Sequence, residues 1–378
     1  MTTSGPPASA PLPTPPSSGP PVLSYTQLKP SRSRQLPIYI WAVVALALLL
    51  VYNLIFSPSF YHIEMANGRL IGNPINVLHY GSKVMLIALG MTLVIATGGI
   101  DLSVGAIMAI TGCVCGLLLC DKNLVTLQAR TPSPLWLALA AGLGAAILAG
   151  LWNGTLIGYL KIQPIVATLI LMISGRGLAI YLTGGQAPTL TLPAEVPARL
   201  HPIEQFLAIA KPTFFGIPNT ILIVAVMSLL TILVVRRTAL GMFFESIGNN
   251  SATCEVAGIN TRFFVLLSYV FLGFCCGLAG IVDASMNTIG DPNQSGLDIE
   301  LDAIVAVAIG GTSLVGGRFS LIGSLLGAIA MQTLNVTIQS SGIDPQWNFV
   351  VKAFVVIVIC LLQSPKVRAK LAKFKKSA

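Results

Sequence analysis

The chain has 378 residues, 54% of them hydrophobic and only 9% charged, with a mean hydropathy of +0.82. Soluble globular chains carry roughly 25% charged residues, and 22 basic plus 13 acidic side chains cannot cover a soluble surface of this size. Lipid is the solvent, so a soluble enzyme is excluded; the net charge of +9 does not indicate nucleic acid either, since six bases crowd between Lys366 and Lys376 behind the last apolar stretch.

Residues 1–37 hold ten of the 24 prolines, with neither the apolar core nor the cleavage site of a signal peptide. They are expected to form a disordered tail. A transmembrane domain is expected over 38–363, and a basic tail over 364–378. A helix needs about 20 apolar residues to cross the hydrocarbon core. Stretches near 38–57, 77–97, 103–120, 135–158, 164–183, 219–235, 263–283, 303–317, 319–341 and 348–363 meet that need, giving an all-α, polytopic bundle of about ten segments. The eighth is short and broken by glycine, so it either spans or re-enters.

Alternating the loops from a cytoplasmic amino terminus places Lys29, Arg32, Arg34, Lys161, Arg236, Arg237, Arg262, Arg318 and the six carboxy-terminal bases inside. Arg69, Lys122, Arg130, Arg199 and Lys211 then lie outside. Fourteen bases against five obey the positive-inside rule, with both termini cytoplasmic. Lys83, Arg176 and Lys352 remain within spans. A charge at mid-membrane is costly and faces a partner or a cavity.

Two glycine strings echo each other: GGIDLSVG (Gly98 to Gly105) and GGTSLVGG (Gly310 to Gly317), each followed by an apolar string that carries Asn153 or Asn335 at the same place. Interrupted apolar segments in matching halves point to a transport site. Asn153, Ser174, Gln332 and Asn335 can hydrogen-bond a polar solute or serve as interhelical glue, and Arg176 can face the pathway or a packing partner. Asp101, after Gly98 and Gly99, reads as a helix-start carboxylate. The acidic group Asp291, Asp298, Glu300 and Asp302 falls on the outside face, as a partner surface or a solvated loop. The cysteines lack metal-ligand spacing, and no GxxxxGK[ST] phosphate loop is present in the sequence, so any ATP must be hydrolysed by another chain.

The polar segment from Arg236 to Asn260 lies between two spans. Within it Asn250 is a good N-cap, Ser251 to Ala257 can make two helical turns, and Gly258 is a natural stop. The run Thr238, Gly241, Ile247, Gly248, Asn250, followed by Ala257 to Asn260, resembles the coupling loop of binding-protein-dependent sugar permeases. GMTLVIATGGIDLSVGA (Gly90 to Ala106), the stretch around Asn153 to Leu169 and LDAIVAVAIGGTSLVGGRFS (Leu301 to Ser320) resemble the same family, in its ribose and galactofuranose branch. GRLIGNPINVL (Gly68 to Leu78) and GRGLAIYLTGGQ (Gly175 to Gln186) incline the resemblance toward galactofuranose-type permeases.

The resemblance implies a non-enzymatic subunit of an importer in the bacterial inner membrane, working by alternating access. Gly241, Glu245, Gly248, Asn250, Ala257 and Gly258 would couple it to an ATPase subunit that binds ATP and magnesium, with no cofactor in this chain. A periplasmic sugar-binding protein and a second permease, the same or a sister chain, would be its other protein partners. An ion-coupled secondary transporter is the alternative; it would want intramembrane carboxylates, whereas Asp101, Asp121, Asp283 and Asp302 fall at span ends.

Overall fold

In the computed structural model, the described residues are 39–66, 68–120, 131–191 and 201–342, with isolated positions at 347, 350, 352–354 and 357. The two expected tails and most of the tenth expected segment lie outside them. The described residues all belong to the unit Ile38–Ala378.

Helices account for nearly all of the regular structure. They are α1 (Ile40–Phe56), α2 (Asn73–Ala96), α3 (Val104–Leu119), α4 (Leu135–Gly158), α5 (Pro164–Thr183), α6 (Pro202–Leu207), α7 (Asn219–Arg237), α8 (Leu240–Asn249), α9 (Ser251–Val256), α10 (Thr261–Asn287), α11 (Ile299–Ile309) and α12 (Leu321–Ser340). Two small antiparallel hairpins, β1 (Glu64–Ala66) with β2 (Arg69–Ile71) and β3 (Pro212–Phe214) with β4 (Ile217–Pro218), sit together through Leu70 N–H donating to Gly216 O at 3.0 Å.

Among the described residues six helices, α2, α4, α5, α7, α10 and α12, are long and apolar enough to cross a membrane, and α1 and α3 are shorter apolar helices. The chain is thus a polytopic helical membrane protein. α11 has 11 residues, about 16 Å of helix, against the roughly 30 Å of a hydrocarbon core. It runs from the level of Lys83 to the glycine-rich turn at 310–318, beside the end of α2. The expected 303–317 segment is therefore a half-length helix followed by a turn.

Packing ranks the helices by depth. Most of α2 is buried (78% of its apolar window), against 28% for each of α4, α5 and α7, so α2 is the central helix and the other three face outward. α10 lies along α4 and α2, and α12 along α2, α11 and α1. Apolar side chains gain little from leaving one hydrocarbon for another, so close backbone approach and buried polar contacts supply the packing energy. Asn53 Nδ2 in α1 donates to Thr337 Oγ1 in α12 at 2.7 Å, and Thr92 Oγ1 in α2 donates to Ser324 Oγ in α12 at 2.7 Å.

The two glycine strings hold corresponding places. Each follows a helix end and precedes a helix start: α2 and α3 for the first, α11 and α12 for the second. Both helix ends close with paired backbone bonds, Gly98 N–H to Ile95 O with Gly99 N–H to Val94 O, and Gly311 N–H to Ala308 O with Thr312 N–H to Val307 O. This is the Schellman arrangement. The left-handed residue is the first glycine of one string, Gly98, and the second of the other, Gly311. The echo is thus offset by one residue in structure.

Candidate functional site

Most of the sequence-selected residues fall into two regions at opposite ends of α2, with Asn153 and Ser174 outside both. Near the hairpin end, a cavity of about 510 Å³ opens between α2, α10, α12 and the 288–298 loop, within the range of small-molecule sites. Its polar lining includes Lys83, Asp283, Asn287, Gln294, Asp302 and Gln332. Neutral donors and acceptors alternate with paired charges, a lining able to exchange hydrogen bonds with a polyhydroxylated solute.

All three bases left within spans have partners. Lys83 Nζ donates to Asp283 Oδ1 at 2.7 Å, and Lys352 pairs with Asp302. Arg176 Nη1 donates to Pro292 O at 3.0 Å and Ser295 O at 2.7 Å. Asp283 also accepts from Asn287 Nδ2 at 3.0 Å and from the Ser295 hydroxyl. The 288–298 loop is therefore held from one side by Arg176 of α5 and from the other by Asp283 of α10. Asp291, of the acidic group expected to greet a partner or stand in solvent, lines this cavity and caps its own turn, accepting from Asn293 N–H at 2.7 Å and Gln294 N–H at 3.0 Å.

Of the pathway candidates, Gln332 lines the cavity. Asn335 lies one turn further along α12, with Nδ2 at 3.5 Å from Gln332 Oε1 and its Oδ1 buried without a partner. Arg176 holds the loop instead of lining the cavity. Ser174 is exposed, donates to Ile170 O of its own helix at 2.7 Å and does not line the cavity. Asn153 does not line the cavity; it is fully buried and donates to Ser103 Oγ at 2.9 Å and Asp101 Oδ2 at 3.2 Å.

Asp101 lies just before α3, as expected, accepting from Ser103 N–H at 2.7 Å and Ser103 Oγ at 2.6 Å, and is buried there; Asp283 lies a turn inside the end of α10, which extends beyond its expected limit. Sequence reasoning also missed Lys83 and Asp283 as a pair. The signal was present in an in-span lysine and an aspartate near the end of another span, but nothing in the order of residues joins them.

At the other end of α2, the 236–260 segment forms two helices where one was expected. α8 buries Phe244 and Ile247, and Phe244 packs with Leu89, Leu93 and Ala96 of α2. Gly241 and Glu245 line a second cavity of about 580 Å³ together with Arg236 and Ser320. Gly248 lies against the end of α2.

α9 follows the expected outline. Asn250 Oδ1 accepts from Thr253 N–H at 3.0 Å, Ala257 is the C-cap, and Gly258 takes a φ of +83°. The base of α9 is tied down by Glu255, which accepts from Thr261 Oγ1 at 2.6 Å and lies 3.5 Å from Lys161 Nζ. These two partners, the hydroxyl first, hold the Glu255 carboxyl below the usual carboxylate range. Val256 is 91% exposed. The short helix thus presents an apolar side chain outward from an anchored base.

The family described as "Branched-chain amino acid transport system / permease component" matches residues 73–360. The chain belongs to this permease family. The permease is 43% identical over 339 residues to the galactofuranose transporter permease protein YtfT of Escherichia coli (strain K12), covering 89% of this chain and 93% of that one. It is 35% identical to the fructose import permease protein FruF of Bifidobacterium longum (strain NCC 2705), over 89% and 90% of the two chains. It is also 31% identical to the ribose import permease protein RbsC of Escherichia coli (strain K12), over 86% and 93%. No solved structure matches the permease.

The contacts of Arg176 give one expected result. Arg176→Leu removes a charged donor from two carbonyls of the loop, at about 1.5–3 kcal/mol per charged bond. Uptake should show an apparent KM raised on the order of tenfold with membrane abundance near wild type, and Arg176→Lys should recover part of it by restoring one donor. Joint loss of abundance and uptake, measured by immunoblot and initial rates, would make Arg176 a packing residue only.

Proposed function

We propose that this chain is the membrane-spanning subunit of an ATP-driven importer of a small sugar, a pentose or hexose, in a bacterial inner membrane. The observation that carries the reading is the α8–α9 unit. A six-residue helix capped at both ends, exposed at Val256 and anchored through α8 on the central helix is suited to a groove in a separate ATPase subunit. Six residues are too few for a stable helix alone, so its caps and anchors maintain a shape for a partner to grip.

On this reading the α9 end faces the cytoplasm, as the fourteen-to-five basic asymmetry suggests, and the hairpin end receives a sugar-loaded binding protein. The cavity around Lys83 and Asp283 takes the sugar on its way through, and a second permease, the same or a sister chain, completes the pathway. ATP with magnesium belongs to the ATPase subunit. Galactofuranose is the first sugar to test, given the name of the 43% identical relative. Alternating access requires outward and inward states that differ in affinity, since partners shift an equilibrium only by differential binding.

The test is purification and reconstitution. The permease should co-purify in fixed ratio with its ATPase subunit, and vesicles holding both should accumulate labelled sugar only with ATP and the binding protein. Uptake driven by a proton or sodium gradient without the ATPase would replace this reading with the ion-coupled one.

A further inference from the structure

We infer that the backbone joint formed by Ala96, Gly248 and Gly317 is the point at which movement of the ATPase-facing helices reaches the bundle, and that Gly248 is a positioning residue for coupling. The inference rests on the ATPase-docking reading of α8 and α9. Three segments far apart in sequence meet there: the end of α2, the end of α8 and the turn between α11 and α12. Gly317 N–H donates to Ala96 O at 3.0 Å, closing the two turns on each other. A methyl group at Gly248 would lie 1.8 Å from Ala96 O and 2.4 Å from Gly317 N. Gly316, in turn, would bring a methyl group to 3.0 Å from Gly248 O and 3.1 Å from Gly98 N. The obstructing atoms are main chain, which cannot swing aside as a side chain can.

The joint is also coupled onward. Asn249, the next residue of α8, lays its side-chain amide over Gly317. On the far side of the first turn, Gly99 lies against the Tyr269 hydroxyl of α10, and Asp101 and Ser103 are tied to Asn153 of α4. Tyr269 Oη and Asn153 Oδ1 are both buried without a hydrogen-bond partner. Buried polar atoms are seldom left so, and a transporter that exchanges two conformations can satisfy them in the other one. A push on α8 therefore reaches both glycine turns through backbone contact, and through the first turn reaches the α4–α10 pair. The two turns of the internal echo meet at one place because a single lever acts on both.

Gly248→Ala tests this in the complete complex of permease, ATPase subunit and binding protein. The variant should co-purify with the ATPase in the normal ratio, since α9 is untouched, while sugar taken up per ATP hydrolysed falls at least tenfold. Gly144→Ala, a helix position with open space around it, is the control and should be silent. Unchanged coupling in Gly248→Ala would overturn the inference. If that variant fails to accumulate, Asn249→Ala decides, because it removes the contact over Gly317 without adding volume. A several-fold drop in sugar per ATP then supports the joint; an unchanged ratio, or failure of both variants to accumulate, overturns it in favour of a purely structural contact. Loss of the docking reading itself would show separately, as absence of the ATPase from wild-type preparations.

Discussion

Lys83→Met is expected to remove uptake and to lower the amount of permease in the membrane. Asp283 is only 4% exposed and would keep its charge without the lysine that neutralises it, while Lys83 is 22% exposed to the cavity. Breaking a buried ion pair from one side costs about 3–5 kcal/mol, and some water access through the cavity puts this pair near the lower figure. Removing both charges separates stability from transport. Lys83→Met with Asp283→Asn leaves no uncompensated charge; the amide oxygen can take the bond from Asn287 while the amide N–H donates to the Ser295 hydroxyl oxygen. The double variant should therefore regain most of its membrane abundance, while uptake stays at least tenfold down because the cavity has lost its Lys83–Asp283 pair. Immunoblots and initial uptake rates across the four-membered cycle measure the coupling directly. A double variant with wild-type uptake would reduce the pair to a packing device and remove the cavity from the proposed pathway.

The legible and illegible parts of this protein divide by range. What depends on neighbours in sequence was readable: the lipid-soluble class, the apolar helices, and the caps of α9. Asn250 and Gly258 act within four residues of themselves, so their chemistry is local. Arg176 was readable as a residue in need of a partner but not as to which, since its acceptors lie more than a hundred residues away. Asp283 reads from sequence as a span-end residue because the apolar run stops there, whereas the helix continues a further turn to Asn287. α8 was missed for a different reason. It is short and sits between an Arg pair and a polar stretch, so its amphipathic face has meaning only once α2 is seen beneath it. Ser174 marks the opposite limit: a polar residue in a span can bond its own preceding turn, so its residue type alone does not assign it a place in the pathway.

The α9 caps give the second large effect, because a six-residue helix has no interior to fall back on. Gly258 has open space around it, so Gly258→Val meets no neighbour; its cost comes from backbone alone. A β-branched residue at a φ of +83° is strained by about 1–3 kcal/mol. The strain falls on the Schellman closure, in which Gly258 N–H donates to Glu255 O at 3.0 Å and Ile259 N–H to Cys254 O at 2.9 Å. Asn250→Ala attacks the other end and removes a cap worth about 1 kcal/mol. Either change exceeds what one and a half turns can hold in water, so α9 should unwind while the bundle remains folded. Reconstituted complexes should then show weaker retention of the ATPase subunit and at least a tenfold loss of sugar-stimulated ATP hydrolysis, with binding-protein recognition at the far end unaffected. This pattern differs from that expected of Gly248→Ala, which keeps the ATPase bound and loses only the transmission. Tight ATPase retention and normal coupling in Gly258→Val would mean that α9 is not the docking element, and the exposed Val256 would need another explanation.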